Sequence, residues 1–490
     1  MTGRSLQSTP GGSRTPNLWI RSPLLYPVEL RVPVFTRKTS WKSIGLTGGI
    51  QSCTGQLFTR TSSRHNRFRL GTQFPSAPSS FEPGVTPLSL TTRQRFRGWL
   101  YVICVLTDFC AFVVTFTVTR RLAEQGASPL QLGLLGAGFS FAAAVASIAA
   151  GFGSLRHGAP APFLTGAATL LLAIIGCRQL LPGSTGFLLS YVGLGLGLGG
   201  LYPPLIGWLN QGESDMATPQ SGISGRLILF CIAWNLGMMA GQLTGGALFA
   251  WGNDVALGVP CLLALVNLGL ALIAARQSTT LPGVPTATLL PVRNSQRAIA
   301  FQRLSWLANL GGMFGGSLVL HLISDLAVAI GIPAERQGEV MALWRVVIIA
   351  TYLLMHRLRG WQFRLAPAIG SQLLGAAGLV VISQAGSAWS LLAGLALLGQ
   401  LVGFNYFAGL FYSAAGSPQQ NRAWTAALHE ATLAAGMSVG TTVGGAIGNL
   451  AGHRVPYLLG AVVILLVTGV QVLGWCWWVR PQAGERDDVD

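Results

Sequence analysis

Charged side chains are scarce in this sequence of 490 residues. Only 10% of the residues are Asp, Glu, Lys or Arg and 51% are hydrophobic, whereas soluble domains carry about 25% charged residues. This scarcity excludes a soluble globular protein. Acids are scarcest, with 15 Asp and Glu against 32 Lys and Arg, so the formal net charge is +17. Such an excess suggests a nucleic-acid or anionic-membrane partner unless the positions of the charges explain it.

The sequence also lacks the motifs of metal and nucleotide sites. Its seven cysteines form no C-x-x-C pair and have no zinc-type spacing with His. We therefore predict no disulfide framework, no metal site, no cofactor and no catalytic residue. A G-x-x-x-x-G-K-[ST] phosphate-binding loop is absent from the sequence, which disfavours an ATP-driven pump.

Residues 1–92 differ in composition from the rest of the chain. They are rich in Ser, Thr, Pro, Gly and Arg and show no apolar periodicity, so we expect a disordered basic segment. Three origins are open. The favoured one is a translation start placed too far upstream, because the stretch from Gly12 to Arg31 resembles a translated transfer-RNA gene and no Met lies between Met1 and Met216. The others are an organelle transit peptide and a genuine disordered tail.

Beyond this segment the chain is dominated by apolar runs of about 20 residues, the length that crosses the hydrocarbon core of a bilayer. These runs predict an all-α polytopic membrane protein with twelve transmembrane helices. The predicted spans are 99–119, 130–152, 163–181, 186–208, 226–250, 256–275, 304–327, 338–356, 365–385, 389–412, 424–450 and 456–479.

The arginines predict the orientation of these spans. Fifteen lie in the tail and loops on the side of both termini and five in the loops on the opposite side. Because basic residues are retained in the cytoplasm, we expect both termini to be cytoplasmic, in a plasma membrane or bacterial inner membrane. Topology thus accounts for the positive charge, and no nucleic-acid partner is required.

Two glycine stripes indicate an internal repeat. Each has a glycine at every fourth residue in equivalent spans, and the two stripes are offset by 199 positions: Gly237, Gly241 and Gly245 in the fifth span, and Gly436, Gly440 and Gly444 in the eleventh. Such stripes let neighbouring helices approach closely. The repeat predicts two six-helix bundles, 93–275 and 304–480, joined by a cytoplasmic linker, 276–303, and followed by a tail, 481–490.

Twelve spans arranged as a six-plus-six repeat resemble the major facilitator superfamily of secondary transporters. The loop after the second span keeps Gly151, Arg156 and Gly158 of that family's gating-loop pattern, and the loop after the eighth span has Arg359 and Gly360. Leu155 replaces the family's acid in this pattern. The resemblance implies a central cavity lined by helices 1, 4, 7 and 10, flanked by 2, 5, 8 and 11, with 3, 6, 9 and 12 facing lipid.

Ionisable residues inside the spans are costly, so each is a candidate functional residue. The candidates for proton coupling or for the cavity are Asp108, His321, Asp325, Arg345 and Glu430. For Asp108 and Glu430 a structural role is about as well supported as a coupling role. For His321, Asp325 and Arg345 a structural ion cluster near the outer surface is favoured over transport. Candidates for lining the substrate site are Tyr202, Asn405, Tyr406 and Tyr412.

We therefore expect secondary transport of a small solute by alternating access, carried out by a monomer in the lipid bilayer and coupled to protons or another ion. Export is one of the two directions that the sequence leaves open. In this scheme the glycine stripes allow the halves to slide against each other. A membrane sensor or scaffold without flux is the main alternative, and a polytopic membrane enzyme is a weaker one. The sequence favours a modest, uncharged or amphiphilic solute without identifying it.

Overall fold

The computed structural model describes residues 87–209, 219–280, 296–417 and 422–480. In these ranges the chain forms twelve long helices and no strand. The helices are α1 (Pro87–Glu124), α2 (Pro129–His157), α3 (Pro160–Gln179), α4 (Thr185–Leu209), α5 (Pro219–Phe249), α6 (Asn253–Thr280), α7 (Gln296–Ala329), α8 (Ala334–Arg357), α9 (Leu365–Ser383), α10 (Ala388–Ala415), α11 (Arg422–Ala451) and α12 (Val455–Trp478). A π-helical segment, Leu318–Leu322, interrupts α7, and a short 3-10 turn, Arg359–Trp361, follows α8.

The prediction of an all-α protein with twelve long helices is confirmed. Helix α1 begins at Pro87, so the disorder expected up to residue 92 is wrong for its last six residues. Proline favours a first helical turn because its missing N–H needs no partner there. Helices α6 and α7 likewise extend into the predicted linker. The remainder of the basic segment, residues 281–295 of the linker and the predicted tail lie outside the described residues.

Eleven of the helices are long and apolar enough to cross a membrane, as an integral membrane protein requires. Helix α11 is not among them, although the sequence predicted a span there. Gly, Ser and Thr replace larger apolar residues along it. These small residues allow close packing between helices, and that packing compensates for low hydropathy.

Helix packing repeats between the two halves, α1–α6 and α7–α12. In the first half α1 packs on α5 and α6, α4 packs on α2 and α3, and α3 packs on α6. Each of these pairs recurs in the second half with six added to both helix numbers. The fold therefore consists of two similar six-helix halves.

Helices α3, α6, α9 and α12 are the most exposed to the surroundings of the protein. In their most hydrophobic windows 33–39% of the residues are buried, against 50–78% in the other candidate spans. Because exposed apolar surface on a spanning helix is suited to lipid, these helices form the periphery. The remaining eight helices surround the centre.

The halves contact each other mainly through α2 with α11 and α5 with α8. At each contact glycines bring the backbones together, Gly133 against Gly445 and Gly246 against Gly338. A Cβ atom on Gly246 would lie 3.1 Å from the Cα of Gly338, and one on Gly133 would lie 2.8 Å from the Cα of Gly445. We call the side where α1 begins and α12 ends the terminal side, and the opposite side, where these glycines lie, the far side.

Candidate functional site

A cavity of about 110 Å³ lies between the two halves. This volume is large enough for several water molecules, each of which needs about 10–15 Å³ by the same measure. Helices α1, α2, α4 and α5 of the first half and α7, α8, α10 and α11 of the second contribute its wall. Among the residues that the structure describes, the acidic and basic side chains on that wall are Asp108, Arg345 and Glu430.

Asp108 lies near the middle of α1 and is fully buried. The Tyr202 hydroxyl donates a short hydrogen bond to its Oδ2 atom. The Cys104 thiol is 3.9 Å from the same oxygen, and Oδ1 has no hydrogen-bond partner. A buried carboxyl oxygen without a donor is costly unless it is protonated or meets a ligand. The structure thus brings two predicted residues, Asp108 and Tyr202, together at the cavity wall.

Glu430 enters the cavity from α11, on the other half. The Tyr406 hydroxyl donates to Glu430 Oε1 over 3.1 Å. The Tyr406 ring stacks on Trp234 of the first half with 4.4 Å between ring centroids, and the ring of His429 lies 5.4 Å from the same Tyr406 ring. Each carboxylate of the cavity therefore accepts a hydrogen bond from a tyrosine, and the Trp234–Tyr406 stack joins the two halves.

Arg345 lies in the middle of α8 with 2% of its surface exposed. Its Nε atom donates to Gln242 Oε1 at 3.3 Å, across the interface between the halves. The guanidinium also lies 4.1 Å from the ring centroid of Trp344 and 5.4 Å from that of Phe112. The expected cluster of Arg345 with His321 and Asp325 is wrong, because Arg345 faces the central cavity.

His321 and Asp325 are separated by their local helix geometry. The π-helical segment of α7 contains His321, and a π-helix has more residues per turn than an α-helix, so residues four apart no longer share a face. His321 Nδ1 lies 3.4 Å from the Tyr191 hydroxyl in the first half. Asp325 instead pairs with His453 at 2.5 Å, at the far end of α7.

Two of the four predicted lining residues lie away from this cavity. Asn405 donates to the carbonyl oxygen of Ala308 over 2.9 Å, inside the second half. Tyr412 accepts a hydrogen bond of 2.8 Å from the backbone N–H of Phe363. Both line a smaller cavity within that half. Of the four predicted lining residues, Tyr202 and Tyr406 lie on the wall of the central cavity.

The glycine stripes pack inside the halves and not between them. Gly237, Gly241 and Gly245 lie against α1, and Gly436, Gly440 and Gly444 lie against α7. A Cβ atom on Gly241 would lie 2.7 Å from the carbonyl oxygen of Phe109. The expectation that these stripes slide between the halves is wrong. The glycines that follow each stripe, Gly246 and Gly445, make the contacts between halves.

The predicted gating loops lie on the terminal side. Arg156, at the end of α2, is exposed, and its guanidinium lies 4.2 Å from the ring centroid of Phe152. Gly151 is buried, and Gly158 has a positive φ of 80°, as required where α2 ends and α3 begins. Arg359 and Gly360 are exposed after α8. A gating role for these residues stays a prediction.

A hydrogen-bond network on the far side was not predicted from the sequence. Arg120 of α1 donates to Gln337 Oε1 of α8 over 2.8 Å, and Gln337 Nε2 donates to Ser324 Oγ over 2.9 Å. Thr119 Oγ1 lies 3.1 Å from Ser324 Oγ. We call these four residues the far-side network. Polar residues such as Arg120 and Gln337 are common near the ends of membrane spans, so nothing in the sequence singles them out. Their contact is visible only in the fold.

Comparison with solved structures shows the fold. The chain superposes on the human organic anion transporter MFSD10 (TETRAN) with a TM-score of 0.59 and 16% sequence identity, covering 77% of this chain and 99% of that one. The chain therefore shares the fold of that transporter, and this agrees with the fold that the resemblance to the major facilitator superfamily implied. The sequence itself matches no family model and no curated protein.

Proposed function

We propose that this protein is a secondary active transporter that moves a small solute across the membrane by alternating access. The observation that carries the proposal is the central cavity, which both halves line and which contains the acidic and basic side chains of Asp108, Arg345 and Glu430. A cavity at the interface of two repeats is where transporters of this kind bind their substrate. Rocking of the halves would open it alternately to each side.

The contacts between the halves indicate which side of the protein is closed in this conformation. The paired glycines and the far-side network hold the halves together on the far side. Breaking them costs hydrogen bonds and backbone packing, and re-forming them on return closes the far side again. In our proposal this state is closed on the far side and exchanges solute with the terminal side once the Trp234–Tyr406 stack and the Asn235–Tyr352 hydrogen bond between the halves are broken.

Asp108 and Glu430 are the proposed coupling groups. The charge of a carboxyl group in a buried site depends on the charges beside it, so solute binding can drive proton uptake or release. The tyrosines that donate to them, Tyr202 and Tyr406, would orient whichever oxygen remains ionised. Proton movement would thereby be tied to the occupancy of the cavity.

We place the terminal side in the cytoplasm of a plasma or bacterial inner membrane, because the sequence has fifteen arginines on that side and five on the other. The exposed loops with Arg156 and Arg359 then face the cytoplasm, where they would limit the rocking of α2 and α8. We further propose that residues 93–275 and 304–480 are the two moving bodies of a monomer.

The experiment is flux in proteoliposomes containing the purified full chain, with an imposed pH gradient and a panel of organic acids, amines, sugars and amino acids. We expect one class to move with the gradient. Asp108→Asn and Glu430→Gln should each lower gradient-driven flux at least tenfold. Glu339→Gln is the matched control, since Glu339 is exposed and pairs with Arg336 on the surface of α8.

Equal flux in both cavity variants and the wild type would refute the coupling scheme. Absence of flux for every class, from protein that is folded by thermal unfolding, would favour the sensor or scaffold alternative.

A further inference from the structure

The cavity contains a positive charge, that of Arg345, which is only partly paired. Arg345 Nη2 is buried and makes no hydrogen bond. Among the residues that the structure describes, no carboxylate lies within the 4.0 Å of an ion pair with this guanidinium. Its one cross-half hydrogen bond goes to a neutral acceptor, Gln242. A buried charge with incomplete pairing is costly, so the site is incomplete as it stands.

The two acids of the cavity can lose their charge, whereas Arg345 cannot, and this difference determines the charge of the ligand that the cavity binds. A carboxyl group can bind a proton and become neutral, whereas a guanidinium remains charged in proteins. Asp108 and Glu430 also have their own donors, Tyr202 and Tyr406. When both acids are protonated and neutral, the cavity has one positive charge, that of Arg345. An anion neutralises it, and a cation does not.

The wall of the cavity is otherwise apolar. Aromatic rings and thioethers are part of this wall, and methionines adapt to ligands of different shape. They are Phe112, Phe139, Trp234, Met238, Met313, Trp344 and Met437. A ligand that fits this wall has an apolar or aromatic body. Its charged group has to be small and at one end, where it reaches the guanidinium.

We propose that the substrate is an organic monocarboxylate with an apolar body, whose carboxylate pairs with Arg345. A carboxylate matches the planar guanidinium with two parallel N–H···O bonds, so it can engage the unpartnered Nη2. Trp344 and Phe112 flank the guanidinium and hold its plane in place. This assignment rests on the proposed transport function, because it names the solute of that same cavity.

The test is equilibrium binding, measured by calorimetry on the purified full chain in lipid nanodiscs. Three probes share one body and differ in charge: 2-naphthoate, 2-naphthamide and 2-naphthylmethylamine. We expect 2-naphthoate to bind about tenfold or more tightly than the amide and the amine. Arg345→Gln should abolish this preference, and Arg345→Lys should retain part of it. The control, Arg336→Gln, removes an exposed arginine of the same helix and should leave the affinity for naphthoate unchanged.

Equal binding of the amide or the amine would overturn the proposal on the wild-type protein alone, whether or not the Arg345→Gln variant folds. Retention of the preference in a folded Arg345→Gln variant would overturn it too. The proposed function and the anion site can fail independently. Naphthoate binding without flux of any solute would refute transport but not the anion site. Flux of amines or sugars without naphthoate binding would refute the anion site but not transport.

Discussion

Gly338 provides the sharpest test of how the halves close. A Cβ atom at this position would lie 2.8 Å from the carbonyl oxygen of Gln242 and 3.0 Å from the Cα of Gly246, both on α5 of the other half. Ordinary contacts lie at 3.4–4 Å, so α5 and α8 must separate by about 0.5 Å for alanine and by more for valine. Overpacking of this kind costs about 1–3 kcal/mol.

That cost falls only on the conformation closed on the far side, since the two glycines separate when the far side opens. Gly338→Val should therefore shift the equilibrium toward far-side opening by about 5- to 150-fold. Spin labels report this directly by pulsed electron resonance. The distance between labels at Gln125 and Glu335 on the far side should lengthen, and that between labels at Leu155 and Leu358 on the terminal side should shorten.

The matched control is Gly370→Val on α9, where a Cβ atom would meet nothing within 4 Å. Both label distances should match the wild type in this variant. If Gly338→Val leaves both distances unchanged while the protein remains folded, the glycine contacts do not hold the far side closed. An equal shift in the Gly370→Val control would show that replacing a helical glycine by valine changes the distances without any contact between the halves.

Two further predictions concern buried hydrogen bonds. Arg120→Gln removes the charged donor to Gln337, worth about 1.5–3 kcal/mol, and should open the far side about tenfold or more by the same label distances. Gln337→Glu should do the opposite, because it would give Arg120, which already pairs with Glu124 of its own helix, a carboxylate partner in the other half. Equal distances in both variants would contradict the role of this network. Tyr202→Phe leaves Asp108 without its phenol donor and should lower the stability of the folded protein by about 1–3 kcal/mol, seen as a lower Tm in detergent. An unchanged Tm would contradict a stabilising role of this hydrogen bond.

Long apolar runs and scarce charge determined the helical class and the number of helices. A helix in a bilayer must satisfy its own backbone hydrogen bonds, so about 20 apolar residues in a row leave few alternatives. The repeat of Gly237, Gly241 and Gly245 at Gly436, Gly440 and Gly444 likewise indicated two similar halves. Hydropathy alone was a weaker guide for α11, where small residues replace large apolar ones.

Tertiary structure decided which residues share a site. Asp108, Glu430 and Arg345 are far apart in sequence, and periodicity on one helix contains no information about a partner helix in the other half. The depth of Arg345 suggested a cluster with His321, but the π-helical segment and the rotation of α8 send the two side chains to different places.

The same reasoning separates the two sets of glycines. The spacing of the glycines predicted stripes suited to close helix packing. This prediction was correct because it depends only on the missing side chains, which are a local feature. Which neighbour each glycine meets is a property of the assembled bundle: Gly245 lies against α1 of its own half, whereas Gly246, one residue further along, lies against α8 of the other. A rotation of about 100° per residue on the helix makes that difference.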